Sequence, residues 1–228
     1  MRVNIVESLD LSGMENLGGL VVILDVIRAS NTTIALLDAG AAGVLPVAEL
    51  ELAYGLKEEH PDWLLVGERG GQPPAGFDMD NSPARAKDLN PAGKTVIHTT
   101  AAGTQAAHRL TGADTVLYGS FANASALVAA IKRLNPPEVN LKPMGFRTVE
   151  RALEDDLAAE YLQKSLAGSP PPFAPMKEKI LAGTCAEMLR GFGQLEDLAW
   201  CTSLDIASTV PVVRYLERPT VRALPAKP

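Results

Sequence analysis

Residues 20–33 read LVVILDVIRASNTT, and the fold is decided here. Positions 20–27 form a continuous β-rich run in which Asp25 is the one charged residue, the pattern of a strand covered on both faces. Strands of that kind belong to parallel sheets with helices on either side. The next segment supplies the start of such a helix, expected over Thr32–Ala39, with Ser30, Thr32 and Thr33 near its beginning. The same grammar recurs on both sides. GVLPV (43–47), WLLVG (63–67), KTVIH (94–98), TVLYG (115–119) and EVNLKPM (138–144) read as strands. Between them, 48–60, 103–110 and 124–134 read as helices. Short apolar strands separated by helices of about ten residues point to βαβ units and a mainly parallel sheet with flanking helices.

Beyond residue 149 the chain becomes more helical. VERALEDDLAAEYLQKSLAG suggests one long helix closed by Gly168, and MKEKILAGTCAEMLRGFG (176–193) a second. Residues 195–228 read as short strands and coil. The expected organisation is one α/β unit over 1–228, with two lobes, about 1–135 and 136–228, as the alternative. A faint internal echo links TTIALLDAGAAGVL and TQAAHRLTGADTVL. Both run Thr, seven residues, Gly-Ala, two residues, Val-Leu, with Thr32 and Thr104 in equivalent places.

Bulk properties narrow the function. The 228 residues carry a net charge of −6, so no basic stripe is available to neutralise nucleic-acid phosphates. Neither a signal-peptide core nor a bilayer-length apolar run is present, which predicts a cytoplasmic protein without a membrane partner. Two cysteines, Cys185 and Cys201, are too few for a disulfide scaffold or zinc cluster and read as buried thiols. The chain lacks a Walker loop, a dinucleotide fingerprint, a D-x-D-x-T/V nucleophile motif and an R-H-G phosphatase context.

In open α/β sheets, ligands bind outside the C-terminal ends of the strands. Those ends are unusually polar here. Asp25, Arg28, Ser30, Thr32 and Thr33 follow the first strand. The seventeen-residue segment GERGGQPPAGFDMDNSP (67–83) carries Glu68, Arg69, Gly70, Gly71, Asp78 and Asn81. Thr99, Thr100, Gly103 and Thr104 follow the 94–98 strand, and Ser120 and Asn123 follow the 115–119 strand. Each hydroxyl alone would be an ordinary helix cap. Together they form a kit for binding an oxyanion: hydroxyls, free backbone N–H groups and glycines that allow close approach. Arg28 and Arg69 add guanidinium groups suited to phosphate or carboxylate. The carboxylates Asp25, Glu68, Asp78, Glu154, Asp155 and Asp156 would repel an anion unless a hard cation such as Mg2+ stood among them. Successive helical positions turn about 100°, so 154, 155 and 156 cannot all face one way.

The segments LDVIRASNTT, GERGGQPPAGFDMDNSP, TTAAGT, GSFANASAL, ALEDDLAAEYL and DLAWCTSLDIASTVPVV, in that order and spacing, resemble the 2-phosphosulfolactate phosphatase family, the ComB-like proteins. The resemblance spans about residues 20–215. It implies a ComB-like α/β fold and Mg2+-dependent hydrolysis of the phosphate monoester of (2R)-2-phospho-3-sulfolactate, as in coenzyme M biosynthesis, by a homodimer. On that basis Asp25, Glu68 and Asp78 are expected to hold Mg2+. Asp156, or its neighbours Glu154 and Asp155, would complete the metal shell or orient the attacking water. Arg28 and Arg69 would clamp the phosphoryl and acidic groups. Ser30, Thr32, Thr33, Gly70, Gly71, Asn81, Thr99, Thr100, Gly103, Thr104, Ser120 and Asn123 would cradle the small phosphorylated acid. Two stretches depart from the usual pattern. Thr100-Ala101-Ala102-Gly103-Thr104 stands where many members have T-T-N-G-T, and Lys142-Pro143-Met144-Gly145 where many have a C-A-G-T-like stretch. Another phosphorylated hydroxy acid, or metal-free binding without catalysis, are the alternatives.

Overall fold

The computed structural model describes residues 1–9, 11–146, 148–215 and 218–225. β2 (Leu20–Leu24) is buried at all five positions. It lies between β7 (Glu138–Pro143) and β6 (Thr115–Gly119), both parallel to it, and β1 (Arg2–Ile5) adds to the far side of β7. A second parallel block comprises β3 (Gly43–Pro46), β5 (Thr95–Thr99) and β4 (Leu64–Gly67). The antiparallel pair β8 (Pro211–Tyr215) and β9 (Pro219–Ala223) joins the blocks. β8 pairs with β6 and β9 with β3. The result is one nine-stranded sheet in the order β1-β7-β2-β6-β8-β9-β3-β5-β4.

Among the described residues eight helices cover it: α1 (Ala29–Asp38), α2 (Leu50–Glu59), α3 (Gly103–Arg109), α4 (Ala124–Leu134), α5 (Leu153–Leu166), α6 (Phe173–Leu181), α7 (Thr184–Gly191) and α8 (Leu195–Cys201). The alternation of side chains along a strand assigns the layers. Leu20, Val22 and Leu24 of β2 pack with Leu127 and Ile131 of α4 and Leu157 and Leu162 of α5. Val21 and Ile23 face the opposite way, into a core shared with Leu36 of α1, Ala106 of α3, and Val44, Val66 and Val96 of the second block. Beyond that block, Leu65 and Ile97 pack on Ala53 and Leu56 of α2. The sheet therefore curls around α1 and α3, the two helices that carry the sequence echo and cross between the blocks.

Three antiparallel junctions in succession reverse the sense of the second block relative to the first. Strand twist of about 20–25° per step, accumulated over the steps from β2 to β5, turns them by about 100–125°. This rotation brings the C-terminal ends of β2, β4, β5 and β7 to one place.

Helix boundaries differ from the sequence reading in several places, and α1 begins at Ala29 rather than at Thr32. The expected helix over 176–193 is two, α6 and α7, separated at Gly183, whose extended backbone (φ −85°, ψ 165°) ends the helical run. The long helix begins at Leu153 rather than 149, because Gly145 turns the chain and Phe146 and Glu150 close a small bridged loop. Residues 195–201, read as part of a strand-and-coil tail, form α8. A short apolar helix packed on its neighbours has too few turns to show a clear period. No helix among the described residues is long and apolar enough to cross a membrane.

Candidate active site

Asp25 stands one residue past β2 and is 7% exposed. Its two oxygens accept backbone N–H bonds from separate helices: Oδ1 from Ala29 at the start of α1 (3.1 Å), Oδ2 from Gly103 at the start of α3 (3.0 Å). A Cβ at position 103 would lie 2.8 Å from that oxygen, so the approach requires glycine. Glu68, one residue past β4, is held in the same manner. Its Oε1 accepts from Ala101 N (3.0 Å) and its Oε2 from Gly71 N (2.8 Å). Asp155 takes Val26 N (2.8 Å) and Gly145 N (2.9 Å). Three acidic side chains thus clip the ends of the strands together, and Glu154 lines the same pocket with the Cys185 thiol.

Asp25, Glu68, Glu154, Asp155, Arg28, Asn81, Thr100 and Cys185 line one pocket, with Gly70, Gly71 and Gly145 providing backbone and Phe146 and Met188 an apolar wall. Burial pushes Asp25 up to about 6, with the charges of Glu68 and Glu154 adding to it. Burial also raises Asp155, helped by Glu154 and Asp25, and raises Glu154. The Cys185 thiol is driven upward by burial and by Glu154, so it is a neutral donor.

Asn81 is oriented from behind. Its Oδ1 lies 3.0 Å from His98 Nε2, and His98 Nδ1 lies 3.3 Å from Thr33 Oγ1. An amide oxygen only accepts, so Nε2 carries the imidazole proton and Nδ1 accepts from the Thr33 hydroxyl. Burial lowers His98 to about 3, which keeps the ring neutral. The NH2 group is then the donor that Asn81 can offer the pocket.

The remaining candidates lie as follows. Arg69 donates to Glu68 O (2.7 Å), Ala48 O (2.9 Å) and Thr99 Oγ1 (2.8 Å), strapping strand ends together outside the pocket lining. Asp78 accepts from Leu65 N (2.7 Å) and pairs with Lys57 (3.5 Å), because the second half of the 67–83 segment folds back along β4. Asp156 is held outside by Arg151 through two bonds of 2.9 and 2.6 Å. Ser30 bonds Asp25 N and Ile23 O. Thr104 and Thr100 cap the start of α3 for each other. Ser120 donates to Asn31 Oδ1, while Asn123 accepts from Ser120 N and holds Thr209 O. Thr32 Oγ1 is buried without a partner among the described residues. The pocket therefore gathers Asp25, Glu68, Glu154, Asp155, Arg28, Gly70, Gly71, Asn81 and Thr100. Thr99, Thr104, Ser120 and Asn123 bond the frame around it. Phe146 and Met188 were not among the residues singled out from sequence, and Cys185 was read there only as a buried thiol, which it is.

The donor set suits a hard cation. Each oxygen of Asp25 and Glu68 spends one acceptor position on an N–H, leaving a second free, and the mutual repulsion of the carboxylates calls for positive charge. Among the described residues no three His, Cys, Asp or Glu side chains form a ready-made cage. Mg2+ needs none, since it retains waters and uses one or two carboxylates with substrate phosphate.

Comparison with known proteins gives the family. Residues 4–215 match the 2-phosphosulpholactate phosphatase family. The chain belongs to that family. Its members are phosphoric monoester hydrolases. A relative from Carboxydothermus hydrogenoformans, described as a probable 2-phosphosulfolactate phosphatase, is 33% identical over 205 residues, covering 84% of each chain. One from Thermus thermophilus with the same description is 33% identical over 213 residues, covering 85% of this chain and 87% of its own.

Proposed function

We propose that this 2-phosphosulpholactate phosphatase family member hydrolyses the phosphate monoester of 2-phospho-3-sulfolactate, with Mg2+, releasing sulfolactate and phosphate. Cytoplasmic action in a coenzyme M type of biosynthesis belongs to the same reading. The observation that carries it is the gathering of Asp25, Glu68, Glu154 and Asp155 around one pocket with Arg28 and Asn81 as its side-chain donors. Asp25 and Glu68 are the groups that would hold the ion. Bound there, Mg2+ would supply the charge stabilisation that phosphoryl oxygens need.

The chain's own groups account for the rest. Arg28 is buried and lines the pocket, and it binds the substrate's acidic groups. Asn81 and the backbone N–H of Gly70 donate to oxygens that gain charge, while the Gly71 N–H stays on Glu68. Glu154, whose pKa burial raises, takes the proton from the attacking water. Asp155 has both oxygens on backbone N–H groups and maintains the frame.

The test is phosphate release from 2-phospho-3-sulfolactate and a panel of phosphorylated hydroxy acids, each with Mg2+ and with EDTA. Turnover confined to the sulfonated acid and abolished by EDTA is expected. Preference for a different acid would overturn the substrate, and undiminished turnover in EDTA would overturn the metal.

A further inference from the structure

Arg28 is 4% exposed, and a guanidinium buried that far must be paired to be tolerated. Its partner is remote in sequence. Nη1 donates to Asp197 Oδ2 on α8 at 2.8 Å, and Nη2 to Gly71 O at 3.3 Å. Asp197 is itself 3% exposed and is fixed from the other side. Its Oδ1 accepts from Ser82 Oγ (2.6 Å), at the end of the 67–83 segment, and from Ala84 N (3.1 Å), just past it. Asp80 adds a weaker contact, 3.7 Å from Arg28 Nη1, and is shared with Arg85 and Gln194. One oxygen of Asp197 thus anchors the loop and the other aims the guanidinium. Two of the five Arg28 donors go to Asp197 and Gly71, while the side chain lines the pocket.

We infer that Asp197 is a positioning residue: it sets the direction of the Arg28 guanidinium, so α8 governs how well the site holds an anionic substrate. This rests on the phosphatase reading above, in which Arg28 binds the substrate's acidic groups. A carboxylate here does what an amide cannot. It holds the buried charge by a charge-assisted bond while its second oxygen remains tied to Ser82 and Ala84.

The experiment is a double-mutant cycle with Asp197→Asn and Arg28→Gln, measuring kcat, KM and thermal midpoint with 2-phospho-3-sulfolactate and Mg2+, and inorganic phosphate binding by calorimetry. Asp197→Asn should lower kcat/KM by about 10- to 100-fold, chiefly through KM, and weaken phosphate binding in step. In the Arg28→Gln background the same change should have little further effect, because the group it aims is gone. A structural role alone would give the same loss in both backgrounds. An additive cycle, or kcat/KM within twofold of wild type, would overturn the inference and leave the phosphatase reading intact. Wild-type protein that neither turns over nor binds phosphate would overturn both. Should Asp197→Asn not fold, Ser82→Ala carries the test. It frees one side of Asp197 and should raise KM in the wild-type background but not beside Arg28→Gln.

Discussion

Replacing Gly103 by alanine adds one methyl group at the start of α3. Its Cβ would lie 2.8 Å from Asp25 Oδ2 and 3.0 Å from the Ala29 Cβ, where ordinary contact begins near 3.4 Å. The deficit, 3.4 less 2.8, is about 0.6 Å, and packed atoms do not absorb that without moving. Ala29 is buried, so relief comes from the Asp25 carboxylate or from the α3 terminus backing away. Either movement stretches the 3.0 Å bond from Gly103 N to Asp25. A hydrogen bond to a charged group contributes about 1.5–3 kcal/mol, and the gain from removing a helical glycine offsets about 1 kcal/mol of that. Stability should fall by about 0.5–2 kcal/mol, lowering the thermal midpoint by about 1–8 °C for a chain of this size. Activity should fall further, by about 10- to 30-fold in kcat, since a 1 Å misplacement of a reacting group costs about 100-fold. Phosphate release and thermal melting on the same preparation check both figures. Activity within twofold of wild type would show that the Gly103 contact does not position Asp25 for the reaction.

Other outcomes follow from the same geometry. Asp25→Asn should abolish turnover while leaving the fold nearly as stable. It removes a buried charge but gives one of the two N–H donors an amide NH2 to face, and melting beside activity separates the effects. Asp78→Asn should keep kcat within about threefold, because Asp78 faces Lys57 and Leu65 N; a loss above tenfold would restore it to the metal site. His98 is lowered from 6.5 to about 3, so its stabilising contribution is present above pH 6.5 and is lost as pH falls towards 3. The loss between pH 7 and pH 4 should be about 3 kcal/mol, and urea unfolding at the two values should show it in wild type but not in His98→Gln.

The parallel α/β character was legible because β2 is buried on both faces and its run of five aliphatic residues shows it. The reversal between blocks was not, since it depends on β8 and β9 pairing with strands far away in the chain. The same contrast divides the site. Asp25 and Glu68 sit directly after strands, where local pattern is informative. Asp78 shares a loop with Glu68, and only the bridge between Val66 and Met79 turns it aside. In the Glu154-Asp155-Asp156 run, helical geometry required the three to diverge. Which one leaves depends on Arg151, whose guanidinium draws Asp156 out. Asp197 was invisible because its meaning lies in Arg28, and nothing in the residues around it records that partner.

The β8–β9 pair also sets a schedule for how the sheet is completed. Leu117 pairs with Val212, and Val44 with Val221, so the join between the two blocks is made by strands synthesised long after both. A growing chain that has reached α8 already possesses Asp25, Glu68 and Glu154 and the side-chain clips between their strand ends, but lacks the backbone ladder that joins the two blocks. Long-range pairings of this kind are slow to form because the intervening chain must be ordered first. The single nine-stranded sheet is therefore complete only once β9 stands beside β3.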